Sequence, residues 1–232
     1  LDVGLFRIGN EDYAAQNETY GLTTLRKAHV RVQRDGLLFD YPAKHGRRRL
    51  QRIEDPDVRP VIVALRRRRG GGEELLAFKR ARRWVDVKAD DVNAYLKDAA
   101  GGDFTAKDFR TWNATALCAV ALAVRAQEAP PGSPTARRRI VKAAIGEVAT
   151  FLGNTPAVAR GSYVDPRVLD RFEEGLTVAA ALAAEHDEVE AGEPVPEQSV
   201  SERVRRAVLD LIDGEKDAPG VEPQPPASSA SS

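Results

Sequence analysis

Two hydroxyl–proline pairs, Ser133-Pro134 and Thr155-Pro156, constrain the fold of this chain most. In each pair the hydroxyl suits the N-cap and the proline suits the first helical position. Proline's fixed φ fits a helix, and its missing N–H is one that a helix start leaves unsatisfied in any case. The first pair predicts a helix from Ser133-Pro134 to Leu152. The second predicts a short helix that runs into Arg160 and stops at Gly161, with Tyr163 just past the break. A tyrosine there has two readings, an ordinary packing residue or a phenol held at the edge of a basic site.

The front half has a different period. His29 to Arg34 alternates in the manner of a strand, Asp35-Gly36 is a hairpin turn, and Leu37 to Tyr41 forms the second strand. Pro42 to Gly46 makes another turn before a third strand, Arg48 to Ile53, so Lys44 is expected at a hairpin tip. Helices are predicted over 1–18, with Leu1, Leu5 and Ile8 on one face, over 57–69, over 89–97, and from a Thr105 cap through Gln127. Leu75 to Phe78 reads as a short strand-like piece, and Val164 to Gly175 as a helical segment entered through Pro166. The fold class is therefore mainly α with a small three-stranded antiparallel sheet, an α+β arrangement. The expected organisation is a domain over 1–184, an acidic linker over 185–198, an amphipathic helix over 199–213 and a disordered tail over 214–232.

Composition narrows the function. The single cysteine, Cys118, excludes an internal disulfide and fits a reducing, intracellular setting. No apolar run reaches the length of a membrane span, and no signal peptide is visible. The net charge is zero, but it is unevenly spread. Residues 1–83 carry 19 Lys and Arg against 11 Asp and Glu, whereas residues 161–232 carry 6 against 16. A basic front suits a polyanion, and the acidic end would be repelled by one. The three histidines and one cysteine are scattered, which gives no metal-ligand pattern.

Several polar residues stand out against this background. Arg7 in Leu5-Phe6-Arg7-Ile8-Gly9-Asn10 reads as a surface arginine or as a guanidinium whose planar fork binds two phosphate oxygens. Lys44, with Arg47, Arg48 and Arg49 close in sequence, is a solvated turn lysine or an ammonium carried into a groove. Lys107 and Arg110, in Lys107-Asp108-Phe109-Arg110-Thr111-Trp112, are three apart and are expected on one helix face. Asn154 precedes the Thr155 cap, and Tyr163 follows the short helix.

In that order, together with Tyr20 to Lys27, these motifs resemble the catalytic domain of type IB DNA topoisomerases of the small bacterial and viral kind. The resemblance runs from Arg7 to about Gly175. It implies that Arg7, Lys44, Arg110, Asn154 and Tyr163 are catalytic, and that Tyr13, Lys27 and Lys107 contact DNA. The implied reaction is relaxation of supercoiled double-stranded DNA through a 3′-phosphotyrosyl intermediate at Tyr163, with no cofactor, metal or ATP. The implied setting is a monomer on DNA, cytoplasmic and nucleoid-associated, with no membrane partner.

Two departures from the family pattern bear on the site. Many relatives have histidine at the Asn154 position, and only histidine adds charge to the hydrogen bond. His45 stands where serine is common and is read as a surface or DNA-side residue. The start at Leu1, within a predicted helix and without methionine, suggests that a β-rich DNA-clamp domain of the family precedes it. The alternative functions are a tyrosine recombinase and a non-catalytic DNA-binding module. Lys107 counts against the recombinase, which typically has histidine there, and Asn154 is the best support for the module.

Overall fold

Antiparallel pairing of three short strands organises the front of the chain. The computed structural model describes residues 1–190 and 200–224. Two compact units divide the chain, Leu1–Arg110 and Thr111–Ser232. In the first unit β1 (Val30–Val32), β2 (Leu37–Pro42) and β3 (Arg48–Ile53) lie in the order β1-β2-β3. Alternation does what the sequence requires of it: Leu37, Phe39 and Tyr41 point to the core, and Val30 pairs with Phe39 across the ladder. Phe6, Leu25, Ile53, Ile62 and Leu75 complete this core, with Phe6 meeting the Phe39 ring edge-on at 5.0 Å.

The same unit holds α1 (Glu11–Asn17), α2 (Val58–Arg67) and α3 (Ala89–Ala100). The predicted helix over 1–18 is corrected to α1 alone. The Leu1, Leu5, Ile8 spacing imitates a helical stripe, but Leu5 and Gly9 take left-handed φ values of +43° and +95°. Asn10 then caps α1, its side chain accepting the Tyr13 N–H at 2.8 Å. A second hairpin also replaces the single strand-like piece expected near Leu75. It pairs β4 (Ala77–Arg80) with β5 (Arg83–Asp86). Its turn residues, Ala81 and Arg82, have φ of +46° and +69°, a conformation that ordinarily selects Gly or Asn. The sequence therefore carries no turn signal there.

The division between the units falls inside α4 (Ala106–Glu128), after Arg110. The second unit is helical, with α5 (Pro134–Leu152), α6 (Pro156–Ser162), α7 (Pro166–Glu173), α8 (Ala179–Glu190) and α9 (Glu202–Asp213). Ser133 and Thr155 cap α5 and α6 through their side chains, as the proline pairs require. The α4 run buries Ala114, Ala119, Leu122 and Ala123 together with Cys118. Burial pushes the Cys118 thiol up to about 12, so it is a packing group rather than a nucleophile.

The C-terminal region departs from expectation. Residues 185–190 of the presumed linker continue α8, and 191–198 lie outside the described residues. α9 packs on α7 and α8 through Val204, Val208, Leu211 and Ile212. The tail expected to be disordered from 214 instead returns to the unit as far as Gln224, while 225–232 lie outside the described residues. β7 (Glu222–Pro223) pairs with β6 (Leu176–Thr177), and the Gln224 N–H donates to the Gly175 carbonyl at 2.6 Å. Val221 is buried. One apolar anchor and a few backbone bonds hold this segment, a pattern that a Pro-, Ala- and Ser-rich tail composition hides.

Candidate active site

The first unit holds Arg7, Lys44 and Arg110, and the second holds Asn154 and Tyr163. Arg7 is half-buried and lies outside any helix or strand. Its backbone is clamped on both sides. The Leu22 N–H donates to the Arg7 carbonyl at 2.7 Å, and the Thr23 N–H and hydroxyl donate to the Ile8 carbonyl at 2.8 and 2.9 Å. Gly21 permits this approach, since a Cβ there would lie 2.6 Å from the Arg7 carbonyl oxygen and 2.5 Å from the Gly9 nitrogen. Gly21→Ala is therefore expected to push the Arg7 segment away. Overpacking of this kind costs about 1–3 kcal/mol. A denaturant melt checks the stability loss.

Arg110 is only 3% exposed and donates through Nη1 to the Leu5 carbonyl, two residues before Arg7. The structure thus brings Arg110 against the segment that carries Arg7. Both guanidinium groups, with that of Arg49, act on the Tyr41 hydroxyl. Burial raises the Tyr41 pKa and the three cations oppose it, so the phenol stays neutral.

Lys44 sits in a single turn of 3-10 helix, Lys44–Gly46, between β2 and β3. It is exposed, and Gly46 supplies a φ of +68° for the turn. Lys107 is exposed while Arg110 is buried, so the pair does not share an environment. Three residues turn a helix by about 300°, which places the two on either side of the core boundary. Tyr13 is 40% exposed on α1. Lys27 is tied down, its Nζ donating to the Gly72 carbonyl at 2.7 Å and its N–H to the Glu73 carbonyl at 2.8 Å.

In the second unit Gly153 ends α5 with a φ of +66°. The Asn154 N–H then donates back to the Ala149 carbonyl at 2.8 Å, which fixes Asn154 in the link to α6. α6 runs through Gly161, whose added Cβ would meet nothing within 4 Å, and ends at Ser162. Tyr163 is the half-buried C-cap, its N–H bonded to the Ala159 carbonyl at 3.1 Å. The sequence reading missed Thr115, which is 2% exposed. Its hydroxyl bonds the Thr111 carbonyl at 2.8 Å, lies 3.3 Å from the Tyr163 carbonyl and accepts the Asp165 N–H at 3.0 Å. A buried threonine in a long alanine-rich helix gives no sequence signal for such bracing.

Residues 1–187 match the family described as the eukaryotic DNA topoisomerase I catalytic core. The chain belongs to the type IB DNA topoisomerases. A DNA topoisomerase 1B of Acanthamoeba polyphaga mimivirus is 28% identical over 179 residues, which cover 72% of this chain and 51% of the relative. The chain thus spans about half the length of that relative. The family match ends inside α8, so α9 and the returning tail lie beyond the matched topoisomerase core. Among the described residues no helix is long and apolar enough to cross a membrane, and no group of three or more His, Cys, Asp or Glu could hold a metal ion.

Proposed function

We propose that this chain relaxes supercoiled duplex DNA by transient cleavage of one strand, with Tyr163 as the nucleophile. The Tyr163 phenolate, its proton released to solvent, attacks a backbone phosphorus, the bond from phosphorus to the 5′-oxygen breaks, and Lys44 gives that oxygen a proton. A 3′-phosphotyrosine holds the broken strand while the duplex turns. The 5′-hydroxyl then attacks the same phosphorus, returns its proton and frees Tyr163. The ester bond is conserved at each step, so no ATP is consumed.

The demanding state is a five-coordinate phosphorus with added negative charge. Arg7 and Arg110 stabilise it electrostatically, and Asn154 donates a hydrogen bond. Tyr13, Lys27 and Lys107 hold the flanking backbone. The observation that carries this reading is the Arg110 bond to the Leu5 carbonyl, which ties one phosphate-binding arginine to the backbone that presents the other.

A tyrosine recombinase would use the same chemistry. Two observations favour relaxation: Lys107 stands where recombinases typically have histidine, and α9 packs on α7 and α8 of its own chain. Incubation with negatively supercoiled plasmid, without ATP and in EDTA, tests the proposal. Stepwise relaxation to closed circles is the expected result. No change in topology, with binding retained, would favour a non-catalytic DNA-binding module.

A further inference from the structure

The run Arg47-Arg48-Arg49 looks uniform in sequence, but β3 separates its members. Arg48 is exposed and faces Asp40, to which its Nε and Nη2 donate at 2.7 Å each. Its charge is already matched, and it holds the Asp40 carboxyl below the ordinary carboxylate range. Arg47 is exposed where the turn closes, its carbonyl accepting the Ala43 N–H at 2.8 Å. Arg49 lies on the other face of the strand, half-buried and directly opposite Tyr41 in the ladder.

Arg49 is held in place without being neutralised. Its Nε donates to Gln51 Oε1 at 3.1 Å, and Gln51 Nε2 donates to the Gly4 carbonyl at 2.6 Å. The same short segment therefore accepts a bond from Gln51 at Gly4 and one from Arg110 at Leu5, then leads into Arg7. Arg49 forms no ion pair with a carboxylate among the described residues. Burial pushes the Arg49 guanidinium below its ordinary value, and the like charge of Arg7 adds to that push. A half-buried cation beside like charge is unfavourable until an anion completes the cluster.

We propose that Arg49 is a third phosphate-binding guanidinium of this site, acting with Arg7 and Arg110 on the DNA backbone. The inference rests on the proposed cleavage reaction for its catalytic part, but its binding part stands apart from whether the chain cleaves DNA. The planar fork would donate to two phosphate oxygens, while the Gln51 bond fixes its orientation through Nε.

The test compares Arg49→Gln, Arg49→Lys and Arg48→Gln in the full 232-residue chain, each with its melting temperature. Affinity for a 20-base-pair duplex is measured across a salt series. Neutralising one phosphate contact lowers the slope of log affinity against log salt by about one. Arg49→Gln is expected to lower the slope by that amount, Arg49→Lys to keep it, and Arg48→Gln to leave it unchanged. The rate of covalent adduct formation at saturating protein is expected to fall about tenfold or more in Arg49→Gln, and to stay low in Arg49→Lys, because a point charge does not replace the fork. A slope equal to that of the parent in Arg49→Gln overturns the proposal. So does a loss of melting temperature that Arg49→Lys repairs with no change in slope in either variant. If the parent forms no adduct, the cleavage reading fails and the salt slopes alone decide the role of Arg49.

Discussion

Tyr163→Phe is expected to abolish the proposed relaxation while leaving the fold intact. Two backbone contacts help to place this residue: its N–H reaches the Ala159 carbonyl, and its carbonyl faces the Thr115 hydroxyl. Phenylalanine keeps both and keeps the ring in its half-buried position. Only the phenolic oxygen is lost, and it is the atom the proposed mechanism needs to form the covalent bond. Removing a nucleophile of this kind costs about 10⁴-fold or more in rate, against which a background of water attack contributes nothing to strand resealing. A plasmid relaxation time course measures the loss. Thermal melting and the duplex affinity should match the parent, which separates lost chemistry from lost structure. Relaxation by the variant at a tenth of the parent rate would mean that another group is the nucleophile.

Arg110 is expected to matter twice. As a phosphate ligand it offsets charge that develops in the transition state, and loss of such a donor costs about 10²–10³-fold in rate. As a buried donor it satisfies the Leu5 carbonyl, and an orphaned buried acceptor costs about 1–3 kcal/mol. Arg110→Ala should therefore lower both the relaxation rate and the denaturation midpoint, and it should disturb Arg7 through their shared segment. Arg110→Lys divides the two effects. The ammonium can reach a carbonyl and recover part of the stability, but it lacks the fork for two phosphate oxygens. Rate measured at saturating DNA, together with urea denaturation, reads both quantities. A fully active lysine variant would remove the bidentate role assigned to Arg110.

The elements that the sequence announces are those with local punctuation. Ser133-Pro134 and Thr155-Pro156 begin α5 and α6 where they should, because cap and proline act within one turn. The β3 strand, Arg48–Ile53, is legible because a turn and alternation bound it. Where non-local contacts decide, the reading fails. Leu1, Leu5 and Ile8 have helical spacing, yet residues 22 and 23 capture the carbonyls of Arg7 and Ile8. The β4–β5 turn uses Ala81 and Arg82 in place of glycine. The tail is held by Gly175 and Phe172, about fifty residues earlier, with Gln224 Nε2 donating to the Phe172 carbonyl at 2.6 Å.

The site shows the same divide. Motif order singles out Arg7, Lys44, Arg110, Asn154 and Tyr163, but it says nothing of how they are held. Arg110 reaches Leu5 across 105 positions, and Thr115 braces Tyr163 across 48. Arg49 differs from Arg48 only by the face of a strand, which register fixes and composition does not.

The most direct measurement is recovery of a protein–DNA adduct after rapid denaturation of a cleavage reaction. The protein is digested and the peptide that retains nucleotide is sequenced by mass spectrometry. The expected product is a phosphodiester from Tyr163 to a DNA 3′ end, with a free 5′-hydroxyl on the other side of the break. A nucleotide carried by any other residue, or an adduct through a 5′-phosphate, would contradict it.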